Sequence, residues 1–342
     1  MKAATTPSKP VLIILLLMVT DAVFGGHRLN TAPFQRVEGV RKKTPDALPE
    51  SVTRPIVSED ACPLEPIEPV ARDGHRGTGF LRKPPGRGPF PAILFIHGGM
   101  VARSGDTLRD HLLNAATPSR FLAAGYVIVS ITYRSRDDDP QSSESREDSL
   151  AAFEHLRRLA FIDSKSIVIY GCSGGGDLAL EVAAANTQPC AIVPEDPASF
   201  IFAGIFNAKF PKSGERFVPD DSRPIGDNPK AFYTAEYQKV TRAKIARIRC
   251  PILLIQGDQD PRVYPFNNQV FVPELRAMGK QVEVITYTGE PHCFNFQGSG
   301  PRTPHPAAAL NAFHDVDAFC RRHLKTPPKP LEQALVKQVA IN

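Results

Sequence analysis

The chain has 342 residues, 42% of them hydrophobic and 23% charged, with a formal net charge of +5. That is long enough and apolar enough to bury a substantial core, which excludes a disordered or fibrous chain. The positive charge is spread thinly, with one short basic run at Arg41–Lys43, so it reads as a solubility feature and no nucleic-acid partner is expected.

In chain order, Lys2 and Lys9 precede the apolar run Val11–Val19, and small residues follow it. This is the pattern of a secretory signal peptide over residues 1–25. Nine apolar residues are too few to span a bilayer unaided, so no stable membrane insertion is expected after cleavage, and an uncleaved anchor is the alternative. The implied location is secreted or periplasmic, an oxidising setting for the six cysteines. Residues 26–70 are polar and proline-rich without a sustained period and read as an irregular arm.

From residue 71 the texture changes. Gly77–Lys83, Pro91–Gly99, Tyr126–Arg134, Ser166–Gly171, Pro251–Gly257 and Gln281–Gly289 read as strands, most of them continuously apolar. Helical patterns stand between them, including Leu150, Phe153, Leu156 and Leu159 at near-helical spacing and a last helix over Ala307–His323. Alternating strands and helices predict an α/β fold, with a mostly parallel central sheet flanked by helices. The catalytic domain is expected over residues 71–325, with a short irregular cap insertion at about 202–248 and a C-terminal tail at 326–342.

The chemistry centres on Gly171-Cys172-Ser173-Gly174-Gly175, a G-x-S-x-G pentapeptide between a strand and a helix. Such a turn pushes the serine hydroxyl out above the sheet. Alone the motif is weak, since a glycine-rich turn would match it. A serine hydroxyl needs a base, and the base an orienting carboxylate. "PILLIQGDQDPRVY" offers Asp258 and Asp260 after a buried strand, and "VEVITYTGEPHCF" offers His292 after the next. The order serine, acid, histidine makes Ser173, Asp260 and His292 the candidate catalytic residues, with Asp258 as the loop-supporting alternative to Asp260. His97-Gly98-Gly99-Met100 ends an earlier strand and can aim backbone N–H groups into the site. Gly99 and Gly98, with the N–H of Gly174, are the candidate oxyanion hole, and His97 reads as a brace for that loop. Metal-ligand spacing is lacking and no cofactor is expected.

On these motifs the run from about Gly77 to His323 resembles an α/β-hydrolase. Its texture is similar to the catalytic domains of the prolyl oligopeptidase class and related esterases. The resemblance implies that "FIHGG", "GCSGGG", "GDQDPRV" and "GEPHCF" supply the oxyanion loop, nucleophile, acid and base. Cys172 precedes the nucleophile and Cys293 follows the base, which resembles the Cys-Ser/Asp/His-Cys pattern of tannase and feruloyl-esterase-like hydrolases. That resemblance implies a Cys172–Cys293 bridge, against the alternative of two small buried thiols. Cys190 with Cys250, and Cys62 with Cys320, are the pairings left for the other four. The expected activity is cleavage of a carboxylic ester, on a small molecule or linked to a polysaccharide. A serine peptidase on short peptides is the same-class alternative, and a catalytically silent binding protein the alternative of another class.

Overall fold

A computed structural model describes residues 40–44, 53–99, 101–135, 142–185, 188–205, 223–296 and 305–340. The expected signal peptide, much of the arm, Met100 and residues 206–222 of the expected cap lie outside these described residues.

Eleven strands are described: β1 (Val40–Lys43), β2 (Thr53–Val57), β3 (Glu65–Ile67), β4 (Gly79–Arg82), β5 (Phe90–Ile96), β6 (Val127–Ile131), β7 (Ile162–Cys172), β8 (Ala191–Glu195), β9 (Ile252–Gly257), β10 (Val282–Tyr287) and β11 (Val336–Ala340). Nine of them form one sheet in the order β1-β10-β9-β8-β7-β5-β6-β4-β3, and β11 pairs with β2 in a separate ribbon. Within the large sheet only β3 and β4 run antiparallel to their neighbours. The main helices are α1 (Gly105–Asn114), α2 (Ala116–Ala123), α3 (Ser143–Leu156), α4 (Gly174–Ala184), α5 (Ala235–Arg247), α6 (Val272–Ala277) and α7 (Pro306–His323).

Strand periodicity divides the core between the two faces. Along β9, Ile252 and Leu254 pack with Phe153, Leu178 and Ile245 of α3, α4 and α5. Leu253 and Ile255 pack with Leu112, Phe121 and Val316 of α1, α2 and α7. Both faces are covered, which is why these strands are apolar at every position rather than at alternate ones.

The chain outside the expected domain is more ordered than composition suggests. The arm contributes β1, β2 and β3, and the tail contributes β11. Arg82, fully buried, donates to the carbonyls of Cys62 (2.9 Å), Val57 (2.6 Å) and Ser58 (3.0 Å) and so holds the arm against β4. The described part of the expected irregular cap is helical. It includes α5, whose Lys244 pairs with Glu181 of α4 at 2.5 Å, so this segment is a crossover helix flanking the sheet. A one-turn helix, Arg223–Asp227, does reach the acid loop: a Cβ on Gly226 would lie 2.4 Å from the Pro261 carbonyl oxygen.

Candidate active site

Parallel strands direct their carboxyl ends to one edge of the sheet, and the loops after β5, β7, β8, β9 and β10 gather there. The turn from β7 to α4 is tight. Ser173 has φ 52° and ψ −119°, a left-handed conformation costly for a residue with a Cβ. Its backbone is held on every side: the N–H donates to the Glu195 carbonyl (2.9 Å), and its own carbonyl accepts from Asp177 (3.1 Å) and Ala198 (3.1 Å). The flanking glycines follow from contact distance. A Cβ on Gly171 would sit 2.0 Å from the Gly175 carbonyl oxygen, and one on Gly175 would sit 2.1 Å from that of Ile96.

The loop after β5 packs directly on this turn. A Cβ on Gly98 would lie 3.1 Å from the Ser173 Cβ and 2.9 Å from the Cys172 carbonyl oxygen, so only glycine lets the two backbones approach. Gly99 has φ 94° and stands beside the Arg103 guanidinium. His97 braces the loop from behind. Its ring stacks on Tyr133 at 4.4 Å, Nδ1 lies 2.9 Å from the Gly98 carbonyl, and the Tyr133 hydroxyl donates to the His97 carbonyl (3.1 Å). Burial pushes the His97 pKa down to about 4, so the ring is neutral near pH 7. Gly174 opens α4 directly after the serine.

The structure joins Asp260 to His292: His292 Nδ1 lies 2.5 Å from Asp260 Oδ2. Asp260 is 2% exposed, and its other oxygen accepts from the N–H groups of Arg262 (2.8 Å) and Val263 (3.2 Å). Burial alone would raise this carboxyl, but the imidazole charge and the hydrogen bonds outweigh it and leave Asp260 below the usual range. Burial likewise pulls His292 down, yet the charge and hydrogen bond of Asp260, with the charge of Asp196, leave it raised. Asp258 takes the supporting part, accepting from the Gly289 N–H at 2.8 Å.

His292 and Ser173 approach through their neighbours. The Cys172 and Cys293 thiols are buried and hydrogen-bonded to each other, and all six cysteines are free in the structure. Cys190 lies near Cys250, and both thiols are free. Cys62 lies against Arg82, whereas Cys320 lies near Cys190, so the expected Cys62–Cys320 pairing finds no support in these surroundings.

Two residues with no motif to announce them complete the site. Glu195 ends β8 and Asp196 follows it, and both are fully buried. Glu195 accepts from Asn295 (2.8 Å) and Phe296 (3.1 Å) backbone N–H groups and from the Tyr170 hydroxyl (2.6 Å). Asp196, at φ 41°, accepts from the N–H of Gly257 on β9 (3.0 Å) and of Cys293 (2.7 Å). The Asn295 side chain bonds to Tyr170, and its Oδ1 accepts from the Thr117 hydroxyl at 2.9 Å. These carboxylates stitch the histidine loop to the two strands that carry the other candidate residues.

A nucleophile turn, an adjoining glycine loop and a buried Asp–His pair at the carboxyl edge of a mostly parallel sheet define an α/β-hydrolase and, by chemistry, a serine hydrolase. Comparison with known proteins agrees. Residues 133–326 match the prolyl oligopeptidase family, and the chain belongs to that family. It is 25% identical over 235 residues to the "Uncharacterized peptidase YtmA" of Bacillus subtilis, covering 65% of this chain and 83% of that protein. Against "Acylamino-acid-releasing enzyme 2" of Oryza sativa it is 23% identical over 255 residues, 68% of this chain and 30% of the relative's length. Carboxyl esterase 2 of Tuber melanosporum has a similar fold, with a TM-score of 0.56, 18% identity, and coverage of 83% of this chain and 91% of that one.

Proposed function

We propose that the protein is an exported serine hydrolase that cleaves carboxylic esters through Ser173, His292 and Asp260. The observation that carries the reading is the Asp260–His292 pair at 2.5 Å, whose neighbour Cys293 touches the residue preceding Ser173. With Nδ1–H directed at Asp260, Nε2 is the nitrogen left to take the serine proton. Ser173 Oγ attacks the ester carbonyl as His292 accepts that proton. The tetrahedral oxyanion is held by backbone N–H groups of Gly99 and Gly174, with Gly98 giving the close approach. Collapse expels the alcohol, protonated by His292, and water activated by the same imidazole releases the acid. No cofactor takes part.

Ester cleavage is the favoured chemistry because an alkoxide leaves with less help from the general acid than an amine does. The fold shared with a named carboxyl esterase points the same way. The peptidase reading keeps one supporting observation, the family itself and the peptidases among the relatives. In the oxidising setting that the leader predicts, the two touching thiols would close into a Cys172–Cys293 bridge and fix the histidine loop to the nucleophile turn. Among the described residues no helix is long and apolar enough to cross a membrane.

The test sets p-nitrophenyl acyl esters against peptide anilides on the purified chain, with a fluorophosphonate probe. Faster ester turnover, lost in Ser173→Ala together with probe labelling, is expected. Faster anilide turnover replaces the substrate class, and a wild-type chain that labels nowhere and cleaves neither overturns the hydrolase mechanism. For the bridge, unreduced peptide mapping that finds both thiols free in exported protein would rule it out.

A further inference from the structure

Away from the carboxyl edge of the sheet, the β2–β11 ribbon lies beside α2 and α7 and borders an open groove of about 290 Å³. Its apolar wall is built by Ala123, Ala124, Leu310 and Phe313, and Thr53 and Gln338 add polar groups from the ribbon. Arg120 of α2 also lines it and is only 3% exposed.

Among the described residues this arginine is not satisfied. Nε and Nη1 are buried without any hydrogen-bond partner, and Nη2 reaches only the Thr53 carbonyl at a long 3.5 Å. Among the described residues no carboxylate pairs with it. Burial alone acts on its pKa and brings it down to about 10, which still leaves a full positive charge at neutral pH. An uncompensated buried guanidinium is among the costliest features a fold can carry. Arg82 makes the contrast, since it is equally buried but spends its donors on three carbonyls within 3.0 Å.

We propose that the groove over Arg120 is a binding site for an organic monocarboxylate with a compact apolar body, such as a short fatty acid or a small aryl acid. The planar fork of the guanidinium matches a carboxylate bidentately, and Nε and Nη1 lie buried at the groove's floor with no acceptor among the described residues. A single cation calls for a single negative charge. Alanines, a leucine and a phenylalanine around it call for a hydrocarbon body rather than a hydrated ion. The site is separate from Ser173 and does not depend on the hydrolytic reading.

Thermal unfolding of the full chain with hexanoate, benzoate, 1-hexanol and inorganic phosphate tests this. Hexanoate or benzoate should raise the wild-type Tm saturably, by about 2–4 °C, as expected for a ligand held only by the native state. Arg120→Met should lose that response and melt higher than wild type without ligand, because the unpaired charge is gone. Ala124→Leu keeps the charge but fills the groove, and it should lose the response as well, so the test survives if Arg120→Met does not fold. The proposal is overturned if neither carboxylate shifts the wild type, or if both variants respond as the wild type does. It is equally overturned if 1-hexanol or phosphate matches the carboxylates, since the site would then read hydrocarbon alone or bare charge alone.

Discussion

The basicity of His292 is the quantity on which the site turns. Burial works against the imidazolium, and Asp260 and Asp196 overcome it, so the pKa lies above the ordinary 6.5. Only the neutral ring can take the serine proton, so activity should rise with pH along a limb centred above pH 6.5. Asp260→Asn should move that limb downward and cut kcat by about 10³–10⁴-fold, as loss of the orienting carboxylate does in serine hydrolases generally. A pH–rate profile on an activated ester reads both effects. Asp196 acts one step further out, through Cys293 N–H and through its charge. Asp196→Asn sets an amide N–H against one of two backbone donors. It should lower kcat by about 10–100-fold with KM nearly unchanged, and shift the limb in the same direction as Asp260→Asn. A lower Tm with the limb unmoved would show that Asp196 is scaffold only. These two carboxylates were illegible in the sequence. "VPEDPA" carries no motif, because the N–H groups of Cys293, Asn295 and Phe296 that Glu195 and Asp196 satisfy lie about a hundred residues downstream. Ser173, Asp260 and His292 stood out as candidates because each sits in a short polar motif directly after an apolar run, and the structure brings Asp260 and His292 together.

Among the elements, the β7–α4 turn has the least tolerance. Gly175 lets α4 descend onto the end of β5, where the Ile96 carbonyl oxygen would be 2.1 Å from an added methyl. Backbone on both sides cannot rotate away as a side chain could. Gly175→Ala should therefore cost about 3 kcal/mol or more, measured by urea unfolding, or leave no soluble protein at all. The long parallel strands were legible, since burial on both faces makes them apolar throughout. β1 and β2 were not. "VRKK" and "TRPIV" are four and five residues with mixed polarity, and their partners Val284–Tyr287 and Val336–Ala340 lie more than two hundred residues away. Nothing in the sequence marks Arg82 as interior, since an arginine near a strand end ordinarily keeps its head in water, yet here it lies wholly inside. The helical part of residues 202–248 was obscured by prolines and charge, although α5 places Lys244 and Arg242 on Glu181 and Glu274.

For the molecule as a whole, β1 has a consequence for where the chain can be cut. It lies on the outer side of β10, with Val40–Lys43 paired to Val284–Tyr287, and Lys43 accepts from the Thr288 N–H at 3.0 Å and pairs with Asp315 at 3.1 Å. The strand it covers runs directly toward His292. A chain trimmed to begin at residue 71, where composition places the domain boundary, would leave β10 as a bare, largely apolar margin of a large sheet. Such margins pair with copies of themselves. Trimming to 71 should give concentration-dependent association in sedimentation or light scattering, with ester turnover per chain falling as the species grow. Trimming to residue 40 should give neither. Four residues of weak sequence signal thus act as selvage, the finished border that keeps a woven sheet from catching on its neighbour.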